Sequence, residues 1–418
     1  MPTVVVVGNG FETAARSFAK AYKSPHLRLL LVDDTVAHQG GDALMHIAKS
    51  GVDTVAAEWM NTANGGEAAV ADDPIERVLS IAGDPIGANQ ALFDLGATDG
   101  LPIIPPTLEM VERFVAASGR KADEVIARLM PRLADITVER VAANAVMAGC
   151  APGVMPILIT AVQAMGAEEY HVNHVITTAH TLFPIVVVSG PIAREVGMSD
   201  GRDLSAEGWG VNAAIGRAVK LIMFNCIGDL ENRGATCQGH FAKYFDAITE
   251  NVEQSPWEPL HVEKGFAASD SVVTVFTAEP LHMVDDHSAL TAQGILGTFG
   301  TVAACSGTRP QFGRCEIMLI FGPTHANKVA EAGFDKKLVR DYLCEVHRIP
   351  VNTYPPESRE RWSDWKQMLY GVNTMEHATL PIVEEREDIT ILVHGGAGPN
   401  SLMAPGALNH RSVTRKID

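Results

Sequence analysis

One cysteine of this chain stands at a turn between two apolar segments. The stretch VERVAANAVMAGCAPGVMPILITAVQAM, residues 138–165, places Gly149 and Cys150 after one predicted helix and before a second, Pro-containing one. A helix N-terminus carries about half a positive charge, which favours a thiolate over a thiol. The sequence therefore predicts Cys150 as a nucleophilic or metal-ligating thiolate, with a buried structural cysteine as the alternative.

Three histidines follow closely in the string YHVNHVITTAH. A spacing of three places His171 and His174 on one helical face, and His180 follows before the next predicted strand. With Cys150, these imidazoles are ligands that zinc or iron accepts, although the spacing matches no known metal signature. The alternatives are a general acid–base role for His174 or His180, and hydrogen-bonded structural histidines.

Three predicted strands end in glycine turns, in the strings PIVVVSGP, EIMLIFGP and DITILVHGGAGP. Backbone N–H groups at such turns and helix starts bind carboxylate or phosphate. The pattern predicts an anion cradle, strongest over 395–401, with tight structural turns as the alternative. The residues assigned to substrate binding in these turns are Gly190, Arg194, Gly322, His325, Gly395 and Gly396.

A further acid–base pair is predicted in the string WEPLH, where Glu258 and His261 lie near Trp257. A Pro-flanked structural loop is the alternative here. Among the other cysteines, Cys226 lies in an apolar run and is predicted to be core, whereas Cys305 stands at a Gly turn and is a second candidate thiol.

The N-terminal part alternates strand and helix patterns. Residues 3–7 and 27–32 read as buried parallel strands, which predicts a small Rossmann- or flavodoxin-like α/β domain over 1–97 and a larger α/β domain over 98–418, with a subdivision near 253–265. The turn Gly8-Asn9-Gly10 with Asp33 imitates a dinucleotide fingerprint, but Thr13 stands where the third glycine belongs. We therefore expect an ordinary turn there, with no dinucleotide bound.

Composition excludes several classes of function. The 418 residues carry a net charge of −17, so a nucleic-acid surface of clustered Lys and Arg is not expected. No apolar run reaches the ~20 residues of a membrane span, and the N-terminus lacks a signal-peptide pattern. The six cysteines form no CxxC pair, which favours a reduced, cytoplasmic protein. The size and the abundant apolar helices suggest a homodimer.

Several motifs together resemble a family of bacterial proteins linked to or fused with the UGSC-type selenoprotein or cysteine-protein domain. They are DGLPIIPPT, VERVAANAVMAGC, GPIAREVG, NAAIGRA, SPWEPLHVEKGF, GPTHANKVA and the closing GGAG…SVTR, and the resemblance covers roughly residues 98–417. It implies redox-active or nucleophilic sulfur or selenium chemistry nearby, and a thiol- or selenoprotein partner. The first domain has no UGSC or CGSC string, so Cys150 or a separate partner would supply the thiol. The positions that match the family include Asn144, Cys150, His174, His180, Gly190, Arg194, His261, Gly322, His325, Gly395 and Gly396.

The function predicted from these features is an enzyme acting on a small anionic or polar metabolite. The reaction would be a lyase- or hydrolase-type cleavage at a carbon–heteroatom bond, with Cys150 as thiolate and His174, His180 or His261 transferring protons. Asn144 joins the glycine-turn residues in substrate binding. The alternatives are a zinc or iron enzyme, a non-catalytic binding subunit of a thiol- or selenoprotein complex, and a dinucleotide-dependent oxidoreductase.

Overall fold

The structure is a computed structural model. It describes residues 4–9, 27–33, 78–81, 83–130, 133–178, 180–201, 210–228, 247–304, 314–350 and 379–418, with isolated positions between 12 and 56 and between 352 and 356. Gly10 and Thr13 of the glycine turn, and the candidate thiol Cys305, lie outside these residues.

Two parallel strands form the described sheet of the N-terminal part, and their described side chains are half-buried or exposed, so the burial predicted for them is not observed. Strands β1 (Val4–Gly8) and β2 (Arg28–Val32) pair over their full length, so both predicted strands are confirmed. Parallel pairing and the mixture of helices and strands in the rest of the chain agree with the predicted α/β class.

Helices dominate the segment between the N-terminal strands and the two large sheets. Thr107 accepts a hydrogen bond from the Met110 N–H and so caps one of them, which ends at Gly119 with a φ of 67°. The string TLEMVERFVAASG, residues 107–119, predicts both this N-cap and this end of the helix. The helices over residues 138–147 and 155–165 have no exposed residue. The elements are α1 (Pro85–Asp94), α2 (Leu108–Ser118), β3 (Val125–Arg128), β4 (Asp135–Thr137), α3 (Val138–Met147), α4 (Met155–Met165) and α5 (Val172–Thr177).

Two four-stranded sheets form the remainder of the chain. Their strands are β5 (Phe183–Ser189), β6 (Ala247–Thr249), β7 (Val272–Ala278), β8 (His282–Asp285), β9 (Ile317–Phe321), β12 (Ile389–Val393), β13 (Asn400–Pro405) and β14 (Val413–Lys416). The strands β10 (Arg348–Pro350) and β11 (Thr379–Pro381) form a separate antiparallel pair. The helices between them are α6 (Pro191–Glu195), α7 (Gly210–Ile222), α8 (Leu260–Glu263), α9 (Ala292–Ala303), α10 (Pro323–Glu331) and α11 (Lys336–Val346).

The two four-stranded sheets have the same topology, so this part of the chain contains two structural repeats. The first sheet has the strand order β6-β5-β7-β14 and the second β12-β9-β13-β8. In each, the central strand pairs in parallel with one neighbour and antiparallel with the other. The fourth strands are exchanged, because β8 follows β7 yet pairs with β13, and β14 follows β13 yet pairs with β7.

An apolar layer between the sheets holds the two halves together. Phe183, Ile185, Phe276, Met318 and Ile320 belong to it and are all almost fully buried. Across the predicted subdivision near 253–265, β5 before this passage pairs along its whole length with β7 after it. Residues 253–265 are therefore a connection inside one unit.

One segment, Gly210–Ile227, is long and apolar enough to cross a membrane by length and composition, and 56% of it is buried in the protein. It comprises α7 and the π-helical turn that follows. Ile215, Val219 and Ile222 of this segment pack into the largest apolar cluster of the described residues.

Candidate functional site

Cys150 lies where the sequence places it, in the turn between α3 and the helical segment that follows. Gly149 has a φ of 82°, which favours glycine, and the Cys150 N–H donates to Ala145 O at 3.0 Å. A single 3-10 turn, Pro152–Val154, then leads into α4. Cys150 thus lies at the C-terminal end of one helix and just before the N-terminal end of the next.

The environment of the thiol is the opposite of the predicted one. Cys150 is half-buried as a residue, and burial of the thiol raises its pKa to about 12. The positive charge of Arg217 acts in the other direction but does not compensate for burial. Burial therefore favours the protonated thiol at neutral pH, and the expectation of a resting thiolate is not supported.

Arg217 is held beside this turn by a buried ion pair. Its Nε and Nη2 donate to the Asp99 carboxylate at 2.8 and 3.0 Å, and Nη2 also donates to Pro102 O at 2.7 Å. The loop 97–104, which carries Asp99, is fastened to α3 by the Ile104 N–H to Met147 O hydrogen bond of 3.2 Å. Asp99 lies in the string DGLPIIPPT and Arg217 in NAAIGRA, and no local spacing predicts that the two residues pair.

A second polar network lies between α3 and the π-helical turn that follows α7. Asn144 donates through Nδ2 to Cys226 Sγ at 3.6 Å and accepts from Asn225 Nδ2 at 2.7 Å. Asn225 also donates to Ala97 O at 3.0 Å. Asn225 and Cys226 lie in the π-helical turn Met223–Ile227, a rare conformation that is frequent at functional sites. Asn144 is buried and positions the 97–104 loop through Asn225. Cys226 belongs to the core, as predicted.

The predicted histidines do not assemble with Cys150 into a metal site. His174 Nδ1 lies 2.7 Å from Nε2 of His410, which sequence analysis missed because it is 236 residues further along the chain. The His171 ring is also close to His410, at 5.6 Å between centroids. Burial and the two neighbouring histidines lower the pKa of His410 to about 3. No set of three or more His, Cys, Asp or Glu among the described residues has metal-binding geometry.

The glycine turns follow β5 and β9, where the antiparallel neighbour of each strand, β7 or β13, comes very close. A Cβ on Gly190 would lie 2.0 Å from Asp270 O, and a Cβ on Gly322 would lie 2.1 Å from Asn400 O. Each glycine therefore lets the chain that leaves its strand pass close to the backbone of that neighbour. A serine follows Asp270 and Asn400 in the sequence. The hydroxyl of Ser271 accepts a hydrogen bond from the Ile192 N–H, and that of Ser401 accepts one from the Gly322 N–H.

Several N–H groups of the predicted anion cradle already donate hydrogen bonds within the protein. The N–H of Gly322 donates to Ser401 Oγ, that of Gly395 to Asp200 O and that of Gly398 to Thr324 Oγ1, at 2.8–3.0 Å. A Cβ on Gly396 would lie 2.7 Å from Gly201 O, which explains this second glycine as a close approach. The alternative of tight structural turns is thus the better description of these positions.

The two side chains assigned to the cradle do not face a common ligand. Arg194 is exposed and pairs with Glu253 at 2.7 Å. His325 is buried, its Nδ1 lies 2.9 Å from Ser401 Oγ, and burial lowers its pKa. The predicted Glu258–His261 pair is also not formed, because His261 is buried with Nε2 3.5 Å from Ala268 O whereas Glu258 is exposed.

One carboxyl group with a strongly shifted pKa escaped sequence analysis. Glu250 follows β6, is almost fully buried and accepts from the Leu260 N–H at 2.7 Å. Burial raises its pKa to about 7, against the opposing charge of Lys336. Lys336 also donates to Glu263 at 2.9 Å, so the group ties α8 to α11. Glu250 lies in the polar segment TENVEQ, and such a segment gives no local indication that its first glutamate is buried.

The fold and the site define an α/β protein with an internal repeat and a buried thiol beside an arginine–aspartate pair. No family model matches the chain, and no curated protein has detectable sequence similarity to it. The resemblance to the UGSC-linked family therefore stays a prediction.

Proposed function

We propose that the protein is an enzyme that uses the Cys150 thiol to act on a small anionic or polar metabolite. The observation that carries the proposal is the convergence around Cys150 of segments far apart in the chain. The 97–104 loop, α3 and α7 meet there, and bring the polar side chains of Asp99, Asn144 and Arg217 to one region.

The structure modifies the roles given to the individual residues. Because Cys150 is protonated at neutral pH, its proton must leave before or during attack, in contrast to a thiolate that is ready at rest. A general base is therefore part of the proposal, and His174 and His180 are its candidates. The reaction class stays lyase- or hydrolase-type cleavage at a carbon–heteroatom bond.

The wider setting belongs to the same proposal. Residues 1–97 form a Rossmann- or flavodoxin-like domain, supported by the parallel pairing of β1 with β2. The protein acts in the cytoplasm of a bacterium as a homo-oligomer, together with a thiol- or selenoprotein partner. The free state of the four described cysteines supports a reducing compartment.

The test is turnover in a mixture of small metabolites. Purified protein is incubated with a bacterial metabolite extract, and mass spectrometry follows which compounds disappear; the metal content of the same sample is measured. We expect depletion by the wild type and by Cys344→Ala, a half-buried cysteine on α11, and loss of depletion in Cys150→Ala. Depletion that persists in Cys150→Ala would overturn the proposal.

A further inference from the structure

The arginine beside Cys150 uses only part of its hydrogen-bonding capacity. A guanidinium has five N–H donors on three nitrogens. Nε and Nη2 of Arg217 are engaged by Asp99, Leu101 O and Pro102 O, whereas Nη1 donates to no atom of the described residues. Its side chain is only 14% exposed, and that of Asp99 is fully buried.

This arrangement leaves one nitrogen of a fixed guanidinium open to a ligand. Nη1 is not among the fully buried side-chain atoms that lack a partner, and a fork held at two nitrogens is fixed in orientation. Asp99 and the two carbonyls therefore hold the guanidinium in place and leave one nitrogen as a donor. Nη1 is suited to an oxyanion, because N–H bonds to carboxylate or phosphate are the stronger class of hydrogen bond.

The location of this nitrogen gives it a role at the thiol. Arg217 acts electrostatically on Cys150, so the two groups share one environment. The 97–104 loop that binds Arg217 also lies against the turn, since a Cβ on Gly149 would lie 3.8 Å from Ile104 Cδ1. The glycine-turn N–H groups, the other candidates for anion binding, are largely occupied.

We infer that Arg217 Nη1 binds a carboxylate or phosphate group of the substrate and thereby holds the reacting atom beside the Cys150 thiol. The inference rests on the proposed function in taking Cys150 as the reacting group. Asp99 is then a positioning residue, which orients Arg217 and reduces its net charge so that the anion is bound mainly through Nη1.

Two alkylating reagents of equal reach test this anchor. Iodoacetate carries a carboxylate and iodoacetamide is its neutral counterpart; both form an S–C bond as iodide leaves and the thiol proton passes to solvent. The rates at Cys150 are measured by peptide mass spectrometry at pH 9, and their ratio is referred to N-acetylcysteine. We expect the iodoacetate-to-iodoacetamide ratio at Cys150 to exceed the reference by roughly tenfold, the size of one charge-assisted hydrogen bond.

In Arg217→Gln the ratio should fall to the reference value, even though both rates also change with the thiol pKa. Because this variant leaves Asp99 buried without its partner, a double variant with Asp99→Asn keeps a neutral pair and should give the same ratio. In the wild type, inorganic phosphate should protect Cys150 from iodoacetamide, and in both variants it should not.

Three results would overturn the inference: a wild-type ratio equal to the reference, a raised ratio that survives in both variants, or a Cys150 that resists both reagents. A charge-selective Cys150 whose replacement leaves turnover unchanged would instead refute the proposed function and leave the anion site standing.

Discussion

The reactivity of Cys150 is set by the competition between burial and one positive charge. Burial in an apolar turn raises the pKa of the thiol to about 12, and Arg217 lowers it only in part because Asp99 shares the charge. An anion bound to Arg217 would raise the pKa of the Cys150 thiol further. A preformed thiolate therefore suits this site less well than a thiol whose proton passes to a basic leaving group of the substrate during the reaction.

At the same scale, replacing glycine by alanine should have opposite effects on stability at Gly322 and at Gly297. Gly322→Ala should destabilise the protein by about 1–3 kcal/mol, because its Cβ would lie 2.1 Å from Asn400 O and force two backbones apart. Gly297→Ala, in the middle of α9 with nothing within 4 Å of its Cβ, should stabilise it by about 0.5–1 kcal/mol. Urea unfolding of the two variants measures both, and equal midpoints would contradict the assignment.

At the scale of elements, Glu250 connects β6, α8 and α11. The native state binds its proton more tightly than the unfolded chain, so its contribution to stability is full below about pH 4.5 and is lost as pH rises through about 7. Glu250→Gln keeps an acceptor for the Leu260 N–H and removes this titration. We expect the variant to gain stability relative to the wild type between pH 5 and pH 8, by about 3 kcal/mol at most.

The measurement is the urea midpoint at pH 5 and pH 8. Glu253→Gln is the matched control, since this carboxylate is 75% exposed and its pair with Arg194 lies on the surface. A wild type and Glu250→Gln variant whose stability difference is the same at both pH values would show that the Glu250 carboxyl does not titrate in this range.

Local patterns predicted elements better than their partners. The three strands before the glycine turns, the capped helix α2 and the turn at Cys150 follow from alternation, caps and glycine positions, and all were predicted. The His174–His410 contact and the Asp99–Arg217 pair join residues 236 and 118 positions apart, and no local pattern reports such pairings. The burial that reverses the expected state of Cys150 has the same origin, because it depends on what packs over the turn.

At the scale of the whole molecule, the exchanged strands make the two repeats interdependent. Each repeat supplies the edge strand of the other's sheet, and the third strands also meet where Glu279 N–H donates to Pro405 O and Ala407 N–H to Thr277 O, at 2.8 and 3.2 Å. Neither sheet can be completed by its own repeat. We therefore expect a single cooperative unfolding transition for this part of the chain.

Truncation after Ser412 tests this dependence directly. It removes β14, whose Val413 is buried and whose Thr414 Oγ1 lies 2.9 Å from Thr274 Oγ1, so β7 becomes an unpaired edge. We expect a loss of about 2–4 kcal/mol in the free energy of unfolding, and faster amide hydrogen exchange in β7, some 140 residues away. A chain that lacks only residues 417 and 418 keeps the β14 pairing and should retain most of this protection. If β7 exchange were unchanged without β14, the strand exchange would not couple the repeats, and each sheet would hold its stability within its own half of the chain.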